Sequence, residues 1–356
     1  MKKQIIGTAV AILCALAPLS APAQTPLQDG YAAFQKKDFV TARAKLEPLS
    51  NNNDRVAQYL VGIMHEKGWG GYPQSSTKAF ELYKKSADQG FEGAYEFLAN
   101  MYYGGWGTPK DYGKALIWYS KMDTSKNGRV LKRIGDIYDY GRGVEISTAM
   151  AASYYQKSAD VGYSKGQVAI GYMYENGRGV DKNIVEAANW YRKAAEDGNA
   201  RGQTNLGYMY ERGMGVTQSY TEAINWYLQA ANQGFARAQN NLGAAYEKGK
   251  GVTQSYTEAL KWHRKAAAQD YAVSQTSIGY MYEKGLGIPQ SYVEAYNWYL
   301  KAANKNNARA QFNLGALYYN GNGVPKNHET ALTWFKKSAA QDFKSAKDAL
   351  VKMGVK

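Results

Sequence analysis

The sequence predicts an all-α protein built as an array of antiparallel helix pairs, and three observations carry that prediction. A glycine returns at Gly135, Gly171, Gly207, Gly243, Gly279 and Gly315 with a constant spacing of 36 residues, which marks a repeat array whose units share one continuous core. Within each copy, apolar residues recur at helical spacing on two successive segments. Between those segments stands a Gly-x-Gly loop, such as Gly213-Met214-Gly215, that stops the first helix. A length of 356 residues would ordinarily divide into two or three closed domains, but a stacked array does not obey that rule.

In chain order, residues 1–23 read as a secretory signal peptide. Lys2 and Lys3 precede an apolar run from Ile5 to Leu16, and Ala21-Pro22-Ala23 offers small residues for cleavage before Gln24. The run is well short of the roughly 20 residues that span a bilayer, and no later segment is long and apolar enough to cross. The expectation is therefore a periplasmic or secreted protein without a membrane span. Cys14 is the only cysteine and lies inside the run, so the cleaved chain has no thiol and is held by packing alone. The formal charge of +14 falls by the two leader lysines to +12, which suits acidic partners and equally a plain solvated surface. Nucleic acid is not indicated, because no arginine-rich run interleaved with aromatics occurs.

Residues 24–53 lack the glycine-rich unit. Tyr31, Phe34, Phe39, Ala42 and Leu46 give a short helix pair broken at Lys37-Asp38, as expected of a capping element at one end of an array. Residues 54–341 hold eight units whose loops start at Gly68, Gly104, Gly141, Gly177, Gly213, Gly249, Gly285 and Gly321. Residues 342–356 supply a closing helix. In the fifth unit Gln203, Leu206, Gly207 and Tyr210 share one face of the first helix, helix A. Ser219 and Glu222 form a capping-box pattern, repeated by Ser255 with Glu258 and Ser291 with Glu294. Helix B follows with Ala223, Trp226, Tyr227, Ala230 and Ala231 as a broad apolar stripe. Its tryptophan returns at Trp118, Trp190, Trp262, Trp298 and Trp334, and is expected in the core. A glycine inside helix A costs roughly 1 kcal/mol against alanine, so Gly207 and its equivalents are expected to permit a close helix approach.

The pattern Leu206-Gly207-x-x-Tyr210-x-x-Gly213-x-Gly215-Val216, followed by Glu222-Ala223-x-x-Trp226-Tyr227-x-x-Ala230-Ala231-x-x-Gly234, resembles the Sel1-like repeat family. The segment before it looks like a tetratricopeptide-type helix pair. The resemblance implies a right-handed α-solenoid superhelix with helices A lining the concave face, acting as an adaptor or scaffold for another protein. Exported members also include immunity proteins that neutralise toxic effectors, and some cysteine-rich members process β-lactams. This chain lacks those cysteines.

Chemistry finds little foothold. His65, His263 and His328 lie in different units without metal-ligand spacing. Ser75-Ser76-Thr77-Lys78 matches Ser-x-x-Lys but has neither companion motif, and it sits where other units cap a helix. No cofactor or catalytic residue is expected. Under the family geometry the groove takes Tyr172, Tyr208 and Tyr280, the acids Glu175, Glu211, Glu247 and Glu283, and Arg201, Arg237 and Arg309. Tyrosine and arginine give much contact energy for few rotamers, although the same residues could simply cover a solvated face. Trp69 with Tyr72, and Trp106, stand in loops that elsewhere hold Arg142, Arg178 or Lys250. They are either an exposed hot spot or packing under the cap. The sequence leaves the partner's identity and the oligomeric state open: an adaptor target is the first reading, a toxic effector the second, and β-lactam processing a remote third.

Overall fold

The structure, a computed structural model, describes residues 25–355. The segment read as a signal peptide, with Cys14, lies outside them. The described residues form nineteen helices and no strand, divided between two compact units. The first runs to Gly166 and includes Arg178–Val180; the second takes Gln167–Gly177 and everything from Asp181.

In the first unit the cap is α1 (Pro26–Gln35) and α2 (Phe39–Asn51). The break between them is Lys37, in the left-handed conformation, with Asp38 capping α2. Then come α3 (Arg55–Lys67), α4 (Ser76–Asp88), α5 (Glu92–Gly104), α6 (Tyr112–Ser120), α7 (Gly128–Asp139) and α8 (Thr148–Asp160). α6 is shorter than the other B helices because Met122-Asp123 replaces the Ala-Ala or Ser-Ala pair that extends them. The second unit contains most of α9 (Ser164–Asn176), then α10 (Ile184–Glu196), α11 (Ala200–Arg212), α12 (Tyr220–Asn232) and α13 (Ala236–Lys248). It continues through α14 (Tyr256–Ala267), α15 (Ala272–Lys284), α16 (Tyr292–Ala303), α17 (Ala308–Asn320) and α18 (His328–Ala339) to α19 (Lys344–Lys352). Odd-numbered helices from α3 onward are helices A, and even-numbered ones from α4 are helices B.

The loop register differs from the sequence reading in one place. The residue that ends α5 in the left-handed conformation is Gly105, not Gly104. The irregular spacing of 37 therefore lies between the first and second loops, and the extra residue is Gly71, also left-handed. Trp69 and Trp106 consequently hold the same loop position. In each loop the two glycines do different work. Gly213 turns the chain at the end of α11, whereas a Cβ on Gly215 would lie 2.4 Å from the Ile184 carbonyl oxygen, so this loop rests on the first turn of the preceding helix B.

Serine caps the B helices through its hydroxyl only. Ser219 Oγ accepts from the Glu222 amide at 3.2 Å. The reciprocal bond expected from Glu222, Glu258 and Glu294 is not made, because the amides of Ser219, Ser255 and Ser291 already donate to the carbonyls of Tyr210, Tyr246 and Tyr282 at 2.9, 3.0 and 3.0 Å. Both halves of a capping box occur instead at Thr25 and Gln28. Ser75 likewise accepts from the Lys78 amide, which accounts for its Ser-x-x-Lys pattern.

The core is also shifted by one residue from the sequence reading. Trp190 is buried, but Trp118, Trp226, Trp262, Trp298 and Trp334 are only half-buried, and the fully buried aromatics are the residues that follow: Tyr119, Tyr191, Tyr227 and Tyr299. One position along a helix turns a side chain by about 100°. That rotation aims the tyrosine at helix A and leaves the tryptophan nearer the rim, where a lysine covers all but Trp226. Lys121, Lys193, Lys265, Lys301 and Lys337 lie 4.0–4.5 Å above Trp118, Trp190, Trp262, Trp298 and Trp334. The glycine of helix A faces the buried tyrosine: a Cβ on Gly207 would sit 2.7 Å from the Tyr227 ring and 3.1 Å from the Ala223 carbonyl oxygen. Close helix approach is thus the reason for the glycine.

A buried glutamine at the start of helix A stitches consecutive repeats. Gln203 Nε2 donates to the Ala195 carbonyl at the end of α10, and its Oε1 accepts from Gln233. Gln239 and Gln311 repeat both bonds with Ala231 and Gln269, and with Ala303 and Gln341. The Ala195, Ala231 and Ala303 carbonyls also accept the amides of Gly198, Gly234 and Asn306, so the glutamine adds a second bond at each helix end.

The buried tyrosines set an alkaline limit. Burial pushes Tyr83, Tyr155, Tyr191, Tyr227 and Tyr299 well above the ordinary value near 10, with an adjacent carboxylate adding to it; Tyr119 is raised to about 12. A raised folded-state pKa stabilises fully below the unfolded value and is lost as pH climbs beyond it. Thermal melts are expected to hold steady up to about pH 9 and fall steeply above about pH 10, with the phenolate absorbance rising in step with unfolding. Gradual titration of all tyrosines without unfolding would contradict this.

Candidate functional site

The acids predicted to line the groove are anchored from below. Glu175, Glu211 and Glu283 accept hydrogen bonds from the buried hydroxyls of Tyr191, Tyr227 and Tyr299 at 2.7, 2.9 and 2.8 Å. Glu247 faces His263 Nε2 at 3.2 Å, the histidine replacing tyrosine in its repeat. Their first task is to satisfy a buried donor, and about a fifth of the side chain is left in solvent at Glu247 and Glu283.

The tyrosines and arginines are the accessible members. Tyr172 and Tyr280 are exposed and Tyr208 is half-buried. Arg201, Arg237 and Arg309 are exposed at the starts of α11, α13 and α17. Arg237 reaches across to Asn205 at 3.4 Å, while Arg309 makes no ion pair among the described residues. Three predicted residues, Tyr280, Glu283 and Arg309, come together in a cleft of about 200 Å³ bounded by α15, α17 and α19. Its remaining wall is Lys284, Phe312, Asn313, Phe343 and Ser345. Lys284 is paired with Glu283 at 2.6 Å, so Arg309 is the charge left over.

Sequence reasoning missed the apolar wall of this cleft. Phe312 stands where the preceding repeats hold Thr204, Asn240 and Thr276, and this break from the pattern was the available signal. Its ring meets Phe335 at 5.5 Å and Phe343 at 5.6 Å.

The N-terminal aromatic set divides. Trp69 stacks on Phe39 at 4.2 Å and meets Phe34 edge-on at 6.2 Å, so it seals the cap against the first repeat. Tyr72 is buried beneath the Arg43 guanidinium, 4.1 Å from its ring, and beside His65 at 4.0 Å. Burial raises its pKa well above normal. Tyr72 offers no surface, and Trp69, half-buried, spends its ring on the cap. Trp106 does offer one, with 54% of its area exposed and its ring lying over Gly104. The loop positions are equivalent, but the cap covers only the first. Trp69→Ala is therefore expected to cost about 3 kcal/mol, whereas Trp106→Ala stays within about 0.5 kcal/mol; equal losses in urea titrations would refute the division.

One constellation has the appearance of catalytic machinery. Ser274 Oγ lies 3.4 Å from His263 Nδ1, and His263 Nε2 lies 3.2 Å from Glu247. Ser274 and His263 are both fully buried and Ser274 is also bonded to Asn240 at 2.9 Å, so no substrate reaches this serine. A recess of about 20 Å³ beside Glu211 and Tyr227 has room for about one water.

Comparison with known proteins agrees with this geometry. The Sel1 repeat pattern matches residues 55–91, 93–122, 131–163, 164–199, 200–235, 236–271, 272–307 and 308–343. Among solved structures, the chain is similar to c5321, a protective antigen of uropathogenic Escherichia coli with an SLR fold, at 33% identity and a TM-score of 0.71. The match covers 87% of this chain and 66% of that one, slightly under two thirds of its length. It is also similar to a Sel1 repeat protein from Oxalobacter formigenes, at 26% identity and a TM-score of 0.68, over 95% of this chain and 98% of that one. No curated protein matches it significantly. With eight consecutive matched repeats, five of which pack a helix-A glycine against a helix-B tyrosine, the chain belongs to the Sel1 repeat family.

Proposed function

We propose that the protein is an exported binding scaffold that holds a segment of another protein on the A-helix face of its second unit, without catalysis. The observation that carries this reading is the cleft at Tyr280, Arg309, Phe312 and Phe343. Its volume of about 200 Å³ is below the roughly 300–1,000 Å³ of small-molecule sites, and matches one or two side chains of a peptide. An unpaired arginine beside two aromatic rings is the composition of an interface anchor. Export to the periplasm or outside the cell is supported by the basic, apolar and small-residue segments of residues 1–23, and by the likeness to a protein described as a protective antigen. Inhibition of a toxic effector would be the same binding act with a different partner.

The test is affinity capture with the chain beginning at Gln24, followed by mass spectrometry and direct titration of the protein recovered. Arg309→Glu is expected to weaken that complex at least tenfold and leave the melting temperature unchanged, since the side chain is exposed. Failure to capture any protein under several envelope conditions, or a complex indifferent to Arg309→Glu, would overturn the reading.

A further inference from the structure

The third loop of the first unit departs from the repeat at three positions that are polar, or in one case glycine, in every other copy. Ile146 precedes the helix-B cap, where the other loops carry Gln74, Lys110, Lys182, Gln218, Gln254, Gln290 and Lys326. Met150 occupies the first turn of α8, where the others carry lysine, glutamate or threonine. Tyr140 replaces the lysine, arginine, asparagine or glycine that precedes the first loop glycine elsewhere. These are not core residues: Tyr140 is 60% exposed, Ile146 67% and Met150 40%. Ile146 lies against Gly141, the residue after Tyr140, so a Cβ there would meet it at 2.5 Å.

An arginine is set into this apolar surface. Arg142 has its guanidinium 4.7 Å from the Tyr140 ring and 5.2 Å from the Tyr112 ring, and Nη1 donates to Tyr103 Oη at 3.4 Å. It makes no ion pair among the described residues. Stacking holds the planar group while leaving part of its donor fork free, which is how arginine recognises a carboxylate. The exposed Trp106 follows Tyr103 by three residues.

From these observations we infer that the loop edge formed by Tyr140, Arg142, Ile146 and Met150 is a second protein-docking surface, separate from the A-helix cleft, for a partner segment presenting a carboxylate beside an apolar side chain. Exposed apolar area without a structural role marks interaction sites, and arginine framed by aromatics is typical of their centres. The unpaired cation selects an acidic partner. A second copy of this chain, with its formal charge of +14, is electrostatically disfavoured as the occupant.

The double variant Ile146→Gln with Met150→Glu installs residues that other repeats of this chain already fold with. The probe is a fluorescein-labelled 12-residue peptide alternating glutamate with leucine and tryptophan, compared with the same peptide carrying lysine for glutamate. The acidic peptide is expected to bind saturably, at least tenfold tighter than the basic one, and at least tenfold weaker to the double variant. Arg309→Glu is expected to leave it unchanged, which separates this surface from the cleft. Methyl resonances of Ile146 and Met150 in the unaltered protein should shift on titration, so the test stands even if the variant misfolds. Absence of binding, or binding indifferent to the double variant, would overturn the inference. So would a self-association, or a binding to anionic phospholipid vesicles, that the same variant abolishes while the peptide shows no preference.

Discussion

Gly207→Leu is expected to lower the melting temperature of the second unit by roughly 8–16 °C, from a loss of about 4 kcal/mol at about 2–4 °C per kcal/mol. Even a first carbon would stand 2.7 Å from the Tyr227 ring and 3.1 Å from a backbone oxygen, and a leucine adds three more. Overpacking alone costs about 1–3 kcal/mol; the fixed carbonyl and the displaced tyrosine hydroxyl raise it further. Gly207→Ala gains about 1 kcal/mol of helix propensity and should lose much less. The second repeat already seats Ala99 at this position, against the short α6. Circular dichroism melts of both variants test the argument, which an unchanged transition for the leucine variant would defeat.

The second large effect is expected at Tyr227. Truncation to alanine removes a fully buried ring and should cost about 3–5 kcal/mol. Tyr227→Phe deletes only the 2.9 Å bond to Glu211 and should cost about 1–2 kcal/mol. The last repeat shows the alternative in place: Phe335 occupies the tyrosine position and Tyr319 replaces the glutamate, so donor and acceptor are lost together. Chemical denaturation should rank the variants alanine, then phenylalanine, then wild type. Equal losses would place the energy in the hydroxyl and contradict the packing argument.

How much of this could be read from the chain depended on whether a residue's role was periodic. Gly207 and its equivalents announced a close approach through spacing alone, and the contact with Tyr227 supplied what they approach. Tryptophan was misplaced because size suggests burial, whereas the direction of the side chain, one residue away, decides it. The helix-A glutamates were placed in the groove because they face it, but a buried hydroxyl reaches them from helix B, and no spacing rule within one helix reveals a bond made between two. Trp69 and Trp106 are equivalent in the loop and differ only in whether a cap lies above them. Phe312, Ile146 and Met150 carry no periodic signal, because each breaks with the polar residue that most other copies hold at its position.

The partners of each tyrosine bolt lie close together in the chain. Tyr83 and Glu66 are 17 residues apart, Tyr119 and Asn100 are 19, and Tyr191 and Glu175 are 16. All are much less than the period of 36. A duplication that copies one whole repeat therefore carries donor and acceptor together, and inserts a new unit with no hydroxyl stranded in the core. The same holds for several whole repeats, so the array can lengthen or shorten in multiples of one repeat without breaking a bolt, while a single added residue such as Gly71 is absorbed in a loop.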